Sequence, residues 1–368
     1  MAVITVICCG MMGSAITIPA AHNGHTIRLV GSPIDTKIVE HGQKTGEHLN
    51  LSLYRKNNDT NGTDAPLIMP DSVSFHYFEE MEECIKGADL IICGVSSFGL
   101  DWFCENVVPK LPAEIPLLSI TKGLIDDGQN QGRLISYPEY MMRFTDKDLK
   151  IYAVGGPCTS YELADQDPTE VAFCGPDMKT LRWMKTLRWM KSLFETDYYH
   201  ISLTTDVHGV ECAVALKNAY ALGVALAIGL SYKREGKVFE HYNSQAGLFM
   251  QASREMYLLM DALGAHAERN IFVGLGDLYV TVFGGRNRKL GALLGQGYTY
   301  NQSMEKLPGI TMEGVVISRR TAKALEQMAA NKKIDMKDFP LLWHIKELLE
   351  DEATVNVPWS AFETEYEG

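Results

Sequence analysis

Between Glu211 and Lys233 the chain carries one charged residue, Lys217, set in the run Cys212-Ala-Val-Ala-Leu-Lys-Asn-Ala-Tyr-Ala-Leu-Gly-Val-Ala-Leu-Ala-Ile-Gly-Leu230. Such a run has two homes: a bilayer, which about 18 or more nearly continuous apolar residues can span, or the middle of a helical domain, where a helix is apolar on every side. Lys217 and Asn218 lie well inside the run, its flanks carry no decisive basic cluster, and no second segment resembles it. Met1-Ala-Val-Ile-Thr-Val6 opens directly as a strand, so no signal peptide is expected. The reading is a buried helix and no membrane span. An ammonium among Ala, Val and Leu is costly unless it is paired or loses its proton, so Lys217 needs a reason to be there. Catalysis is one.

A length of 368 residues suggests about two domains. The formal net charge of -12 argues against nucleic acid and against an anionic membrane surface as partners. An anionic substrate would therefore need a local basic site. The eight cysteines are scattered, mostly in apolar runs, with no CxxC and no ligand-like histidine spacing. Free thiols in a reducing cytoplasm follow, with neither a disulfide framework nor a metal site.

The first half alternates short apolar runs with amphipathic segments such as Phe78 to Lys86. Val3–Ile7, Thr26–Val30, Leu90–Cys93, Leu117–Ile120 and Ile151–Val154 read as buried parallel strands. This is a doubly wound, mainly parallel α/β sheet. Asn57 to Thr63 reads as a polar, exposed loop. After about Thr204 helices take over: the apolar run, Val238 to Leu263, Lys289 onward, and Val315 to Asn331. The expected division is a dinucleotide-binding domain at 1–203 and an all-α domain at 204–368. Lys179-Thr-Leu-Arg-Trp-Met184 is repeated as Lys185-Thr-Leu-Arg-Trp-Met190. Six residues turn a helix through about 600°, so the copies face directions roughly 120° apart and cannot make equivalent contacts. No function is expected of the repeat.

Four constellations could carry chemistry. Ile7-Cys-Cys-Gly-Met-Met-Gly13 follows a strand and opens a helix, as a dinucleotide turn must; Gly10 and Gly13 take the second and third glycine places and Cys8 stands in the first. At the tip of the second strand, Val30-Gly-Ser-Pro33, no carboxylate is placed to bind a ribose, and Asp35 lies slightly further on. Ser32, with Lys37, is the candidate for a 2′-phosphate, which leans toward NADP over NAD without deciding it. Ser119-Ile-Thr-Lys-Gly123 puts Lys122 just past a strand's C-terminal end, where ligands of open parallel sheets collect. Val154-Gly-Gly-Pro-Cys158 offers glycines for close backbone approach. Finally, Gly274-Leu-Gly-Asp277 precedes Gly284-Gly-Arg-Asn-Arg-Lys289, whose forked donors suit a phosphate.

Together these residues resemble the NAD(P)-dependent glycerol-3-phosphate dehydrogenase family. The matching points run in family order over nearly the whole chain: Gly10 and Gly13, Thr121-Lys-Gly123, Gly156-Pro157, Pro168-Thr169, Gly209-Val-Glu211, Ala215-Leu-Lys-Asn218, Gly274-Leu-Gly-Asp-Leu278, Arg286-Asn-Arg288 and Met312-Glu-Gly314. The resemblance implies a Rossmann-like N-terminal domain and reversible reduction of a ketone phosphate, foremost dihydroxyacetone phosphate, with NADH or NADPH. Lys217 would be the proton donor and acceptor, with Lys122 and Asp277 completing the catalytic set. Gly156, Cys158, Arg286 and Asn287 would join these three around the substrate. Gly10, Met11, Met12, Gly13, Ser32, Lys122, Ser160, Arg286 and Glu313 would hold the cofactor. Apolar burial and a second cation, Lys122, lower the pKa a basic Lys217 requires, while Asp277 opposes that and orients the ammonium.

The chain departs from the family at Cys8, at Val95-Ser-Ser-Phe98 where a proline is usual, at Cys158 in place of a hydroxyl residue, and at Gly285 where Ser is frequent. The last two bear on the substrate pocket, so a sister enzyme for another polyol phosphate or a phosphonate analogue stays open. So does a silent nucleotide sensor, although the retained Lys122, Lys217 and Asp277 speak against it. The expected protein is a cytoplasmic homodimer.

Overall fold

The β-branched runs of the first half form the expected strands because each sits in a sheet covered on both faces, which favours continuous apolar sequence over alternation. The computed structural model describes residues 1–58, 65–175, 181–237 and 241–364. Its main sheet has the order β10-β9-β8-β5-β4-β1-β2-β3, with β1 Val3–Ile7, β2 Thr26–Val30, β3 Val73–His76, β4 Leu90–Cys93, β5 Leu117–Ser119, β8 Ile151–Gly155, β9 Thr169–Cys174 and β10 Tyr199–Thr204. All neighbours pair in parallel except β8 with β9. The expected parallel strands are present; β3, β9 and β10 extend the sheet on both sides of them. β4 and β8 are buried throughout. Parallel alignment brings the turns after β1, β4, β5 and β8 to the same end of the sheet.

The chain divides into two compact units, and not at a single cut near 203. The first holds Met1–Lys122 and Tyr137–Val207; the second holds Gly123–Ser136 and His208–Gly368. The segment 123–136 is a hairpin of β6 (Leu124–Asp126) and β7 (Leu134–Ser136). It is pinned to the helix Glu313–Ala330 by Arg320 donating to the Leu124 carbonyl at 2.8 Å, by Lys323 against Asp126 at 3.0 Å, and by Gly132 N–H donating to Gln327 at 2.7 Å.

In the second unit the apolar run forms part of the helix Val207–Glu235, surrounded by the helices Tyr242–Ala262, Ala267–Phe283, Gly285–Gly295, Glu313–Ala330 and Pro340–Glu350. It is long and apolar enough to cross a membrane, yet 83% of its most apolar window is buried inside the protein. Its glycines have a packing reason. A Cβ at Gly229 would lie 2.0 Å from the Ala292 carbonyl, and one at Gly295 would lie 2.2 Å from that of Leu226. The helices Val207–Glu235 and Gly285–Gly295 therefore touch backbone to backbone, which fixes where Lys217 stands relative to Asn287.

Two sequence expectations end differently, and a third falls partly outside the described residues. Asn57 and Asn58 close the helix Leu49–Asn58, and the rest of the expected loop, 59–63, lies outside the described residues. The helix expected from Val238 begins at Tyr242, with 238–240 outside the described residues. Of the repeat, Lys179 and Thr180 lie outside them; the remainder falls in the helix Leu181–Phe194, where Leu187 and Met190 of the second copy are buried.

Candidate active site

In the first unit, the turn after β1 is built from backbone. Gly13 packs so closely that a Cβ there would meet the Cys8 carbonyl at 2.6 Å and the Gly94 Cα at 3.4 Å, whereas a Cβ at Gly10 would meet only the Gly94 carbonyl, at 3.7 Å. The first bond of the helix Met11–Ala15 runs from Ser14 N–H to the Gly10 carbonyl, so the N–H groups of Met11, Met12 and Gly13 precede the ladder. Met11 is exposed, and Met12 packs on the core. A shallow, amide-lined turn of this kind fits a pyrophosphate. Cys8, in the place of the first glycine, adopts φ 98°, the conformation a glycine would supply. The departure is thus in the side chain alone.

Ser32 is buried and donates its hydroxyl to Asp35 Oδ2 at 2.7 Å; Lys37 is exposed on the following helix. His48, absent from the sequence expectations, is fully buried and braces the same turn. Its Nδ1 accepts from Leu51 N–H at 3.2 Å, so Nε2 carries the proton and donates to the Cys9 carbonyl at 3.1 Å. Burial holds its pKa below the usual histidine value, with the bond to Cys9 partly opposing.

At the ends of β5 and β8, Lys122 is half-buried and donates from Nζ to the Gly156 carbonyl at 3.1 Å. Thr121 donates to the Val95 carbonyl at 2.7 Å, tying the end of β5 to that of β4. Gly156 has φ 130° and a Cβ there would meet the Val171 Cα at 3.0 Å, so a glycine is required. Cys158 is half-buried against the core, and Ser160 opens the helix Ser160–Ala164, which packs on Met11–Ala15.

In the second unit, Lys217 is 9% exposed and Asp277 1%. Lys217 Nζ donates to Asp277 Oδ1 at 2.7 Å and to Thr281 Oγ1 at 2.9 Å, and Thr281 in turn donates to the Asp277 carbonyl at 2.7 Å. Thr281 escaped the sequence reading, although its place one helical turn after Asp277 on the same face could have flagged it. Asn287 is buried and engaged: Nδ2 donates to Asn218 Oδ1 and Oδ1 accepts from Gly314 N–H, each at 3.1 Å. It links three helices, a bracing role that its expected ligand contact did not include. Arg286 is exposed, donates to Thr311 Oγ1 at 2.6 Å and lies 3.6 Å from Glu313.

The expected site residues thus divide between the units: Gly10, Met11, Met12, Gly13, Ser32, Ser160, Lys122, Gly156 and Cys158 lie in the first, and Lys217, Asp277, Arg286, Asn287 and Glu313 in the second. The first unit holds a glycine turn whose leading amides could take a pyrophosphate, and the second a buried lysine on a carboxylate.

Residues 3–181 match the family model described as NAD-dependent glycerol-3-phosphate dehydrogenase N-terminus, and residues 206–359 match the corresponding C-terminus. An NADP(+)-dependent glycerol-3-phosphate dehydrogenase of Archaeoglobus fulgidus is 30% identical over 337 residues, 91% of this chain and 92% of that one. The chain belongs to the NAD-dependent glycerol-3-phosphate dehydrogenase family. Among solved structures, its fold is similar to the glycerol-3-phosphate dehydrogenases of Plasmodium falciparum (TM-score 0.78, 17% identity, 99% and 96% of the two chains) and Coxiella burnetii (TM-score 0.74, 20% identity, 98% and 97%).

Proposed function

We propose that the chain is an NAD(P)-dependent glycerol-3-phosphate dehydrogenase that reduces dihydroxyacetone phosphate reversibly to glycerol 3-phosphate. The observation that carries this reading is the buried ammonium of Lys217 held by Asp277 and Thr281. A bound nicotinamide supplies or takes the hydride. The residues supply the rest. Lys217 gives a proton to the carbonyl oxygen as it becomes a hydroxyl, and takes it back in the reverse direction. Asp277 and Thr281 fix the direction in which Nζ points, so the proton leaves along one line. Lys122, anchored on Gly156, is the second cation for the substrate's oxygens, and Arg286 with its exposed fork is the donor for the phosphate. The turn Gly10–Gly13 holds the cofactor's pyrophosphate, and Glu313 and Ser160 contribute to the same cofactor.

NADP is the favoured nucleotide, on the name of the Archaeoglobus relative. We further infer a homodimer. Phe272, Tyr279, Phe283 and Met250 stand 73%, 59%, 56% and 59% exposed on the adjacent helices Ala267–Phe283 and Tyr242–Ala262, an apolar area that favours association. Light scattering of the purified protein checks this. Eight free thiols suit a cytoplasmic location.

The test is a panel of phosphorylated ketones assayed with NADH and NADPH, following loss of the reduced nicotinamide. The expected result is turnover of dihydroxyacetone phosphate above all others. Preference for another ketone phosphate or a phosphonate would overturn the substrate assignment and keep the chemistry.

A further inference from the structure

The first carboxylate after β2 is Asp35, and in folds of this kind an acidic residue there takes the ribose hydroxyls of NAD and repels a 2′-phosphate. Here it is withdrawn. Asp35 is 7% exposed, and a single oxygen, Oδ2, accepts from Ser32 Oγ at 2.7 Å, Ser32 N at 2.8 Å, Cys9 N at 3.3 Å and Cys8 Sγ at 3.3 Å. Two of those donors belong to the pyrophosphate turn and two to the tip of β2. Cys8 supplies its share at a cost, since a side chain at φ 98° is strained where glycine would not be. Burial and the neighbouring Asp35 charge push its thiol up to about 12, so it remains S–H, a donor. The departure from the family's glycine at this position therefore has a consequence: the thiol reaches the carboxylate.

We infer that Cys8 and Ser32 form a latch that holds Asp35 inward and thereby sets the nucleotide preference toward the 2′-phosphorylated cofactor. The inference rests on the reading that the Gly10–Gly13 turn binds a dinucleotide. With Asp35 committed, the carboxylate that follows β2 is held inward, and the exposed Lys37 is the nearest charge beyond it in sequence. Without the two side-chain donors, Asp35 keeps only the backbone N–H groups of Cys9 and Ser32 and is released to take the ribose hydroxyls.

The experiment is calorimetric binding of adenosine 2′,5′-bisphosphate and of ADP to the full chain, which reads preference without turnover. The parent should bind the 2′-phosphorylated probe more tightly. Cys8→Gly/Ser32→Ala should move the ratio of dissociation constants about tenfold toward ADP, the size of one charge-assisted hydrogen bond gained. Asp35→Asn should leave the ratio where it is, because the carboxylate does not face the ligand. An unchanged ratio in the double variant overturns the latch, as does a strong gain for the 2′-phosphate in Asp35→Asn. Should the double variant fail to fold, Ser32→Ala alone carries the same expectation at a smaller shift. A parent that binds neither probe defeats the dinucleotide reading, and one that binds both equally defeats the NADP preference, each distinct from failure of the latch.

Discussion

Two of the ionisable groups buried in the helical unit, Lys217 and Glu255, are held differently. Lys217 and Tyr220 lie one turn apart on the helix Val207–Glu235; the first meets Asp277, the second meets Glu255. Lys217 is paired with an opposite charge and one hydroxyl and keeps 9% exposure. Glu255 has none, and neutral dipoles satisfy it: Gln251 at 2.8 Å, Leu341 N–H at 2.7 Å, Leu342 N–H at 2.9 Å and Tyr220 O–H at 3.1 Å. Two of these donors are first-turn amides of the helix Pro340–Glu350, whose dipole favours an anion. Burial nonetheless raises its pKa to about 7, with the four hydrogen bonds opposing. The contrast is the one expected between a charge kept for structure and, on the proposed function, one kept for chemistry. Glu255 is closed off and ties helices together; Lys217 is oriented and still reachable.

The comparison breaks if Lys217 proves structural. Lys217→Ala should lower kcat about 10²–10⁴-fold, the usual worth of a positioned proton donor, with nucleotide affinity nearly unchanged. Parent-like turnover would remove the assignment. Glu255→Ala should do the converse. It leaves four donors without an acceptor, each costing about 1–3 kcal/mol, so denaturant unfolding should show a loss of roughly 3 kcal/mol or more, with kcat per folded molecule retained. A large fall in kcat without loss of stability would erase the distinction.

Thr281→Val sharpens the Lys217 side. Losing one neutral partner of an ammonium should cost about tenfold in kcat with little change in melting temperature. The proposed orienting role fails if kcat is unmoved and only stability falls.

The smallest effects are in pH. The folded pKa of Glu255 lies above its ordinary 4.5, so the folded protein binds the extra proton between about 4.5 and about 7. Its stabilising contribution is complete below 4.5 and is lost as pH rises through about 7. His48 acts in the opposite direction: its pKa is depressed from 6.5, so stability falls as pH drops below that value. Glu255→Gln should flatten the decline between pH 4.5 and 7 in a series of urea titrations, and His48→Asn should flatten the loss on the acid side. A parent-like slope in Glu255→Gln would place the titrating group elsewhere.

Much of this is legible in the sequence. The apolar run, the parallel strands and the Gly10–Gly13 turn rest on local periodicity and on residue types that few backbones accept. Lys217 stood out because it is the lone charge among apolar neighbours. Glu255 is just as buried and went unseen, since Gln251, Ser253 and Arg254 around it read as an ordinary polar face. His48 gave no signal at all. Its partner, the Cys9 carbonyl, is a backbone atom 39 residues away.

The sequence alone therefore determined which segments become strands and helices, which charge is anomalous, and which family the motifs belong to, because those depend on neighbours along the chain. Tertiary structure decided which groups meet. Lys217 and Asp277 are 60 residues apart, and the glycine contacts between the helices Val207–Glu235 and Gly285–Gly295 align their surroundings. It also decided that the hairpin after Lys122 belongs with the helical unit and that Asp35 turns inward. Such outcomes depend on the burial of polar groups, which only the packed chain sets, since each donor must find an acceptor wherever the fold has removed water.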